Sequence, residues 1–112
     1  MKINETMVND VLIVQPEGRL DGVTSPEFGD ALSAKLDQHK AMVVEFTDVV
    51  YVSSAGLRVI LMAAKKCRQT GGKMVLCGLS EPIHEVFEIS GFLSIIDVRP
   101  SRDEAVGEFN KH

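Results

Sequence analysis

Hydrophobic and polar positions along the chain fall into short blocks whose period changes several times. From Thr6 to Val14 two brief apolar-rich runs flank Asn9-Asp10, a dipeptide that tolerates the left-handed backbone of tight turns, so this stretch predicts an opening β-hairpin. After Pro16 and Gly18, "TSPEFGDALSAKLDQ" changes to a helical period. Phe28, Leu32 and Leu36 form one stripe, Pro26 suits a first turn, Thr24 and Glu27 have capping-box spacing, and Gly29 is a weak point. "MVVEF", Met42 to Phe46, hardly alternates, which is the pattern of an interior strand covered on both faces with a parallel neighbour.

From Ser54 to Thr70 the helical period returns, with Leu57, Ile60, Leu61, Ala64 and Cys67 on one side. Arg58, Lys65, Lys66 and Gln69 take the other, and Gly71-Gly72 supplies the stop. "KMVLCGL" reads as a second buried strand. "SEPIHEVFEISG" reads as a helix with Pro82 in its first turn, Ile83, Val86 and Phe87 inward, and Gly91 past its end. "FLSIIDV" is expected as a last strand, and Ser101 with Glu104 repeats the capping-box spacing ahead of a short terminal helix. Strands alternating with helices predict an α/β fold: a mixed sheet with an N-terminal hairpin, right-handed parallel crossovers and about four helices.

Composition narrows the function. At 112 residues, 45% hydrophobic and 25% charged, the chain 1–112 is expected to fold as one domain. Its 12 Lys and Arg against 16 Asp and Glu give a net charge of -4, which argues against nonspecific binding to nucleic acid. "MKINETMVND" lacks the apolar core of a signal peptide, and no run approaches the length of a membrane span, so a cytoplasmic protein without membrane insertion is expected. Cys67 and Cys77 are too few and too far apart for a zinc cluster and read as buried free thiols. His39, His84 and His112 lack metal-ligand spacing, and neither a metal nor a cofactor is predicted.

The candidate chemistry lies in "YVSSAGLR", Tyr51 to Arg58, a strand-to-helix turn carrying two serines. One serine, Ser53 or Ser54, suffices as a helix cap, and Gly56 lets the turn pack closely. The second is surplus to that role. A nucleophile elbow would need Gly two residues before the serine as well as after it, and Val52 stands there, so a serine hydrolase is disfavoured. Neither phosphate-cradling glycine motif occurs. What an exposed serine at a helix start does accommodate is phosphorylation, because the dipole and free N–H groups of that end tolerate the added charge.

"GRLDGVTSPEF" and "VVYVSSAGLRVILMAAKKCRQTGGKMVLCGLSEPIHEVFEISGFLSIIDV" together resemble the STAS domain of bacterial anti-sigma factor antagonists over nearly the whole chain. The combination of G-x-L-D, S-S-A-G-L, G-G-x-x-x-L-C-G and S-G-F at these separations is far more specific than any one piece. The resemblance implies partner switching by a protein that is not an enzyme. When unphosphorylated, such an antagonist binds an anti-sigma factor that is also a GHKL-type serine kinase; phosphorylation releases it, and a PP2C-type phosphatase restores it. In the D-S-S-G-L form of the motif the acceptor serine directly precedes the glycine, and here that place is Ala55. The resemblance therefore moves the expected acceptor to Ser54, with Ser53 as runner-up. It also implies a partner-binding face made of Asp21, Gly22, Val23, Thr24 and Ser25 with Tyr51, Ser53, Ser54, Ala55, Gly56, Leu57 and Arg58, and a monomer when free is the simplest expectation for a surface meant to change partners. Asp21 alternatively reads as a turn residue, and Arg58 as a solvated helix-face residue. The competing function is a STAS subunit of a transport complex or stress-sensing assembly.

Overall fold

Asn9 and Asp10 both take left-handed backbone, with φ of 51° and 67°, in the computed structural model, which describes residues 1–110. Positive φ at both central residues makes the two-residue turn whose twist matches a hairpin. It joins β1 (Ile3–Val8) to β2 (Val11–Pro16), paired antiparallel from Val8↔Val11 out to Ile3↔Pro16. The hairpin is longer than the apolar pattern implied. β1 is an edge strand whose residues from Asn4 to Met7 are exposed, so backbone pairing rather than burial extends it.

β2, β4 (Ala41–Glu45), β6 (Lys73–Cys77) and β7 (Asp97–Arg99) run parallel, and the sheet has the order β1-β2-β4-β6-β7. Successive side chains of a strand point to opposite faces. Leu12, Val14, Met42, Val44, Met74 and Leu76 thus face one core with helices α1 (Ser25–Leu36), α2 (Ser54–Gln69) and α3 (Glu81–Ile89). Val11, Ile13, Val43, Val75 and Cys77 face the other, where α4 (Arg102–Gly107) lays down Ala105 and Val106. Two cores on one sheet account for the unalternating run in β4. The Ser101 cap forms as expected, its Oγ accepting the Glu104 N–H at 3.2 Å. Arg102 Nε to Glu45 Oε1 at 2.6 Å and Arg99 Nη2 to Glu108 Oε1 at 2.7 Å fasten α4 at its two ends.

Four expectations need correction. Phe92 to Val98 is not one strand: Gly91 turns left-handed at φ 77°, Phe92–Ser94 forms a 3-10 turn, and extended pairing is confined to β7. The turn keeps the Phe92 ring against Phe87, 6.3 Å centroid to centroid, with Phe87 in turn edge-on to Phe46 at 6.1 Å. Val86 does not point inward; Ile83 and Phe87, one turn apart, bury the single stripe this nine-residue helix offers, and Val86 falls outside it. Lys66 does not extend into solvent but reaches across to α1, bonding Ser33 O at 3.0 Å and Asp37 Oδ1 at 2.8 Å. Finally, two further short strands, β3 (Gly18–Leu20) and β5 (Val49–Val52), pair parallel in a sheet of their own. Three residues are too few to show a period, so β3 left no pattern to read.

Cys67 and Cys77 are both buried and unpaired. Burial pushes the Cys77 thiol up to about 12, the nearby Glu45 carboxylate adding to the effect, and burial also raises Cys67. Since the thiolate is the reactive species, neither cysteine of the folded protein should react with Ellman's reagent at mildly alkaline pH, and both should react once guanidinium unfolds it. Titration of either thiol in native buffer would contradict the packing of that core.

Candidate functional site

β3 and β5 run parallel and end side by side, Leu20 opposite Val52, so the segments that follow them emerge together. The Leu20 carbonyl accepts the Ser53 N–H at 2.8 Å and ties the two segments at their roots. Ser53 then caps α2. Its backbone is extended, with φ -87° and ψ 175°, its Oγ accepts the Gly56 N–H at 3.3 Å and its carbonyl accepts the Leu57 N–H at 2.9 Å. Ser54 is the first residue of the helix. It is exposed, and its hydroxyl makes no hydrogen bond to any described residue. Of the two serines Ser53 is therefore the cap: its hydroxyl is occupied, and that of Ser54 is free.

Gly56 is needed for closeness. A Cβ built there would lie 2.8 Å from the Leu20 carbonyl oxygen and 3.0 Å from both Leu20 Cβ and Val52 Cγ1, and the first of these is backbone that cannot rotate away. Ala55 is half-buried, Leu57 is buried in the core, and Arg58 is exposed one turn below Ser54. The first turn of α2 carries no acidic residue.

In the opposing loop the Asp21 carboxylate is the organiser. Its Oδ1 accepts the N–H groups of Val23 and Thr24, each at 3.0 Å, a side-chain-made turn. Those backbone donors, Thr24 first and Val23 next, hold the Asp21 carboxyl below its ordinary pKa, with smaller help from the Thr24 hydroxyl and the Arg19 charge. The capping box expected of Thr24 and Glu27 does not form. Thr24 has helical rather than extended backbone, its hydroxyl donates to the Arg19 carbonyl and accepts the Asp21 N–H, and Glu27 instead meets the Met1 amino group at 3.1 Å. Asp21 therefore serves the turn, which was one of its two expected readings.

Arg19 links the two segments at the surface. Its guanidinium lies 4.3 Å over the Tyr51 ring and its Nε is 3.6 Å from Asp21 Oδ2. Beside it Val23 is 87%, Val50 73% and Tyr51 42% exposed. The expected face is thus assembled with changes in membership. Ser25, Gly56 and Leu57 lie beneath it as packing residues, and the Ser25 hydroxyl has no partner among the described residues. Gly22 is exposed with Val23, and Thr24 is half-buried. Arg19 and Val50 belong to the face but were not singled out. Their signal was faint: a charge inside G-R-L-D, and an unbroken apolar run "VVYV" in which the middle two residues point out.

Elsewhere, His84 sits half-exposed on α3, 3.8 Å from Glu88 of the same helix, and His39 is half-buried, while His112 lies outside the described residues. Among the described residues no three His, Cys, Asp or Glu side chains converge as a metal-binding group, and no helix is long and apolar enough to cross a membrane.

The STAS domain family model matches residues 2–105. BtrV of Bordetella bronchiseptica is 39% identical over 110 residues, covering 97% of this chain and 95% of its own. The anti-sigma-B factor antagonist of Listeria monocytogenes is 33% identical over 91 residues, covering 80% of each chain. Among solved structures, the Bacillus cell fate determinant SpoIIAA in its phosphorylated form superposes with a TM-score of 0.73 at 18% identity, covering 96% of this chain and 99% of its own.

The contact between Gly56 and Leu20 can be weighed by substitution. Gly56→Ala gains at most about 1 kcal/mol of helix propensity, whereas forcing a methyl against fixed backbone costs about 1–3 kcal/mol. The variant should unfold at lower urea than the parent; an unchanged or higher midpoint would mean that the two segments are not held at this distance.

Proposed function

The chain belongs to the STAS domain family, and from that premise we propose that it is an anti-sigma factor antagonist working by partner switching in the cytoplasm. The unphosphorylated protein presents Val23, Val50 and Tyr51 with the Arg19–Asp21 pair to an anti-sigma factor that is a GHKL-type kinase. Within that complex Ser54 Oγ takes the γ-phosphoryl group of ATP: an O–P bond forms, ADP leaves, and the hydroxyl proton passes to a base on the kinase. The product carries about -1.5 to -2 additional charges at the centre of the docking face. Each tenfold loss of affinity needs only about 1.4 kcal/mol, so repulsion and desolvation of one phosphate suffice for release. A PP2C-type phosphatase returns the serine to its hydroxyl form.

The observation that carries this reading is the division of labour between adjacent serines. Ser53 Oγ is engaged in the cap, and Ser54 Oγ is exposed and unengaged at the helix start. Adding a phosphate to Ser54 leaves the hydrogen bonds of the turn in place, whereas adding one to Ser53 displaces the Gly56 N–H from its acceptor.

The test pairs the protein with a GHKL-type anti-sigma factor kinase, using Mg-ATP, titration calorimetry and mass spectrometry. Ser54→Ala should bind the kinase, keep full stability and take up no phosphate, and Ser54→Asp should bind more weakly. Ser53→Ala should lose about 1 kcal/mol of stability and still be phosphorylated. Phosphate found only on Ser53 would overturn the assignment.

A further inference from the structure

α2 places a cation one helical turn after Ser54. Residues at i and i+4 of a helix are surface neighbours about 5–6 Å apart at Cβ. Helical side chains lean toward the N-terminus, so a long side chain at i+4 covers the turn above it. Arg58 is the i+4 neighbour of Ser54 and is exposed. It forms no hydrogen bond or ion pair with any described residue, so nothing in the unmodified protein explains its position by pairing. The other charged groups at this end are already committed: Arg19 lies on the Tyr51 ring and against the Asp21 carboxylate, and Asp21 is held by the amides of Val23 and Thr24.

We propose that Arg58 is the phosphate-receiving residue of this surface, closing an i,i+4 pair with phosphoserine 54 and fixing the phosphate against α2. The idea rests on the Ser54 reading above and adds what holds the phosphate once it is there. The order of the pair is the favourable one, with the anion N-terminal to the cation along the helix dipole. A guanidinium can meet two phosphate oxygens with two parallel N–H donors, which a lysine cannot. The unmodified protein leaves Arg58 in water, so the pair exists only in the phosphorylated state and favours that state alone.

A chain carrying phosphoserine introduced at position 54 during translation tests the pair without any kinase. An opposite charge favours the dianion and lowers the second phosphate pKa, ordinarily about 6. Followed by phosphorus NMR against pH, the Arg58→Ala variant should titrate about 0.2–0.4 pH unit higher than the parent, the size expected of a single i,i+4 charge pair at the surface. Arg58→Lys should fall between them and Arg19→Ala should match the parent. Arg58→Ala should also lower the thermal midpoint of the phosphorylated chain without moving that of the unmodified chain. Superimposable titrations of parent and Arg58→Ala, or a shift produced by Arg19→Ala instead, would overturn the assignment. An equal loss of stability in both states would make Arg58 purely structural. Failure of the Ser54 reading appears separately, as absence of kinase-added phosphate at that residue whatever the titrations give.

Discussion

The Leu20 carbonyl oxygen is the fixed point of the candidate site. It accepts the Ser53 N–H and also stands where a side chain at position 56 would have to go. These two facts set both the distance and the register between the end of β3 and the start of α2. Once the register is set, Arg19 lies opposite Tyr51, the Asp21 loop lies beside the helix start, and the serine pair is divided between an inward cap and an outward hydroxyl. Moving Leu20 by one residue would turn its neighbours to the other face of a strand with a two-residue period and dismantle the surface.

Behind this point the parallel strands supply the rigidity. β4 and β6 are flanked on both sides by neighbouring strands and covered on both faces by side chains, so they have little freedom to adjust. α1 and α2 pack on one face and are joined by Lys66 reaching Ser33 and Asp37. The outer sheet of β3 and β5 is therefore borne on a stiff base, a suitable arrangement for the partner exchange proposed for this surface.

The sequence carried the larger elements because each had many residues to state its period: Phe28, Leu32 and Leu36 for α1, Leu57, Ile60 and Cys67 for α2, and the unalternating "MVVEF" for β4. What it concealed was short or decided by competition. β3 has three residues, and half of β5 faces water, so neither offered a readable stripe. Thr24 had the right spacing for a cap, but its hydroxyl found the Arg19 carbonyl and the Asp21 amide closer at hand. Phe92 looked like a strand residue by composition, and the ring of Phe87 drew it into a turn. At the site, the local motif located the helix start, but burial of Ser25, Gly56 and Leu57 follows from a contact with β3 that no local pattern reveals.

With Ser53 as cap and Ser54 as the proposed acceptor, a covalent switch at this position need not disturb stability. A helix start requires one side-chain oxygen directed inward at its own amides, and a phosphorylation site requires one directed outward. A single serine serving both would couple modification to loss of the cap, about 1 kcal/mol and a local loosening. With Ser53 in the first role, the Ser54 hydroxyl is left directed to solvent. Ala55, next in line, is half-buried and carries no hydroxyl. One step back along the helix turns the attachment point by about 100° and into solvent. In the proposed function the two consecutive hydroxyls thus keep the charge of the switch and the architecture of the turn on separate residues.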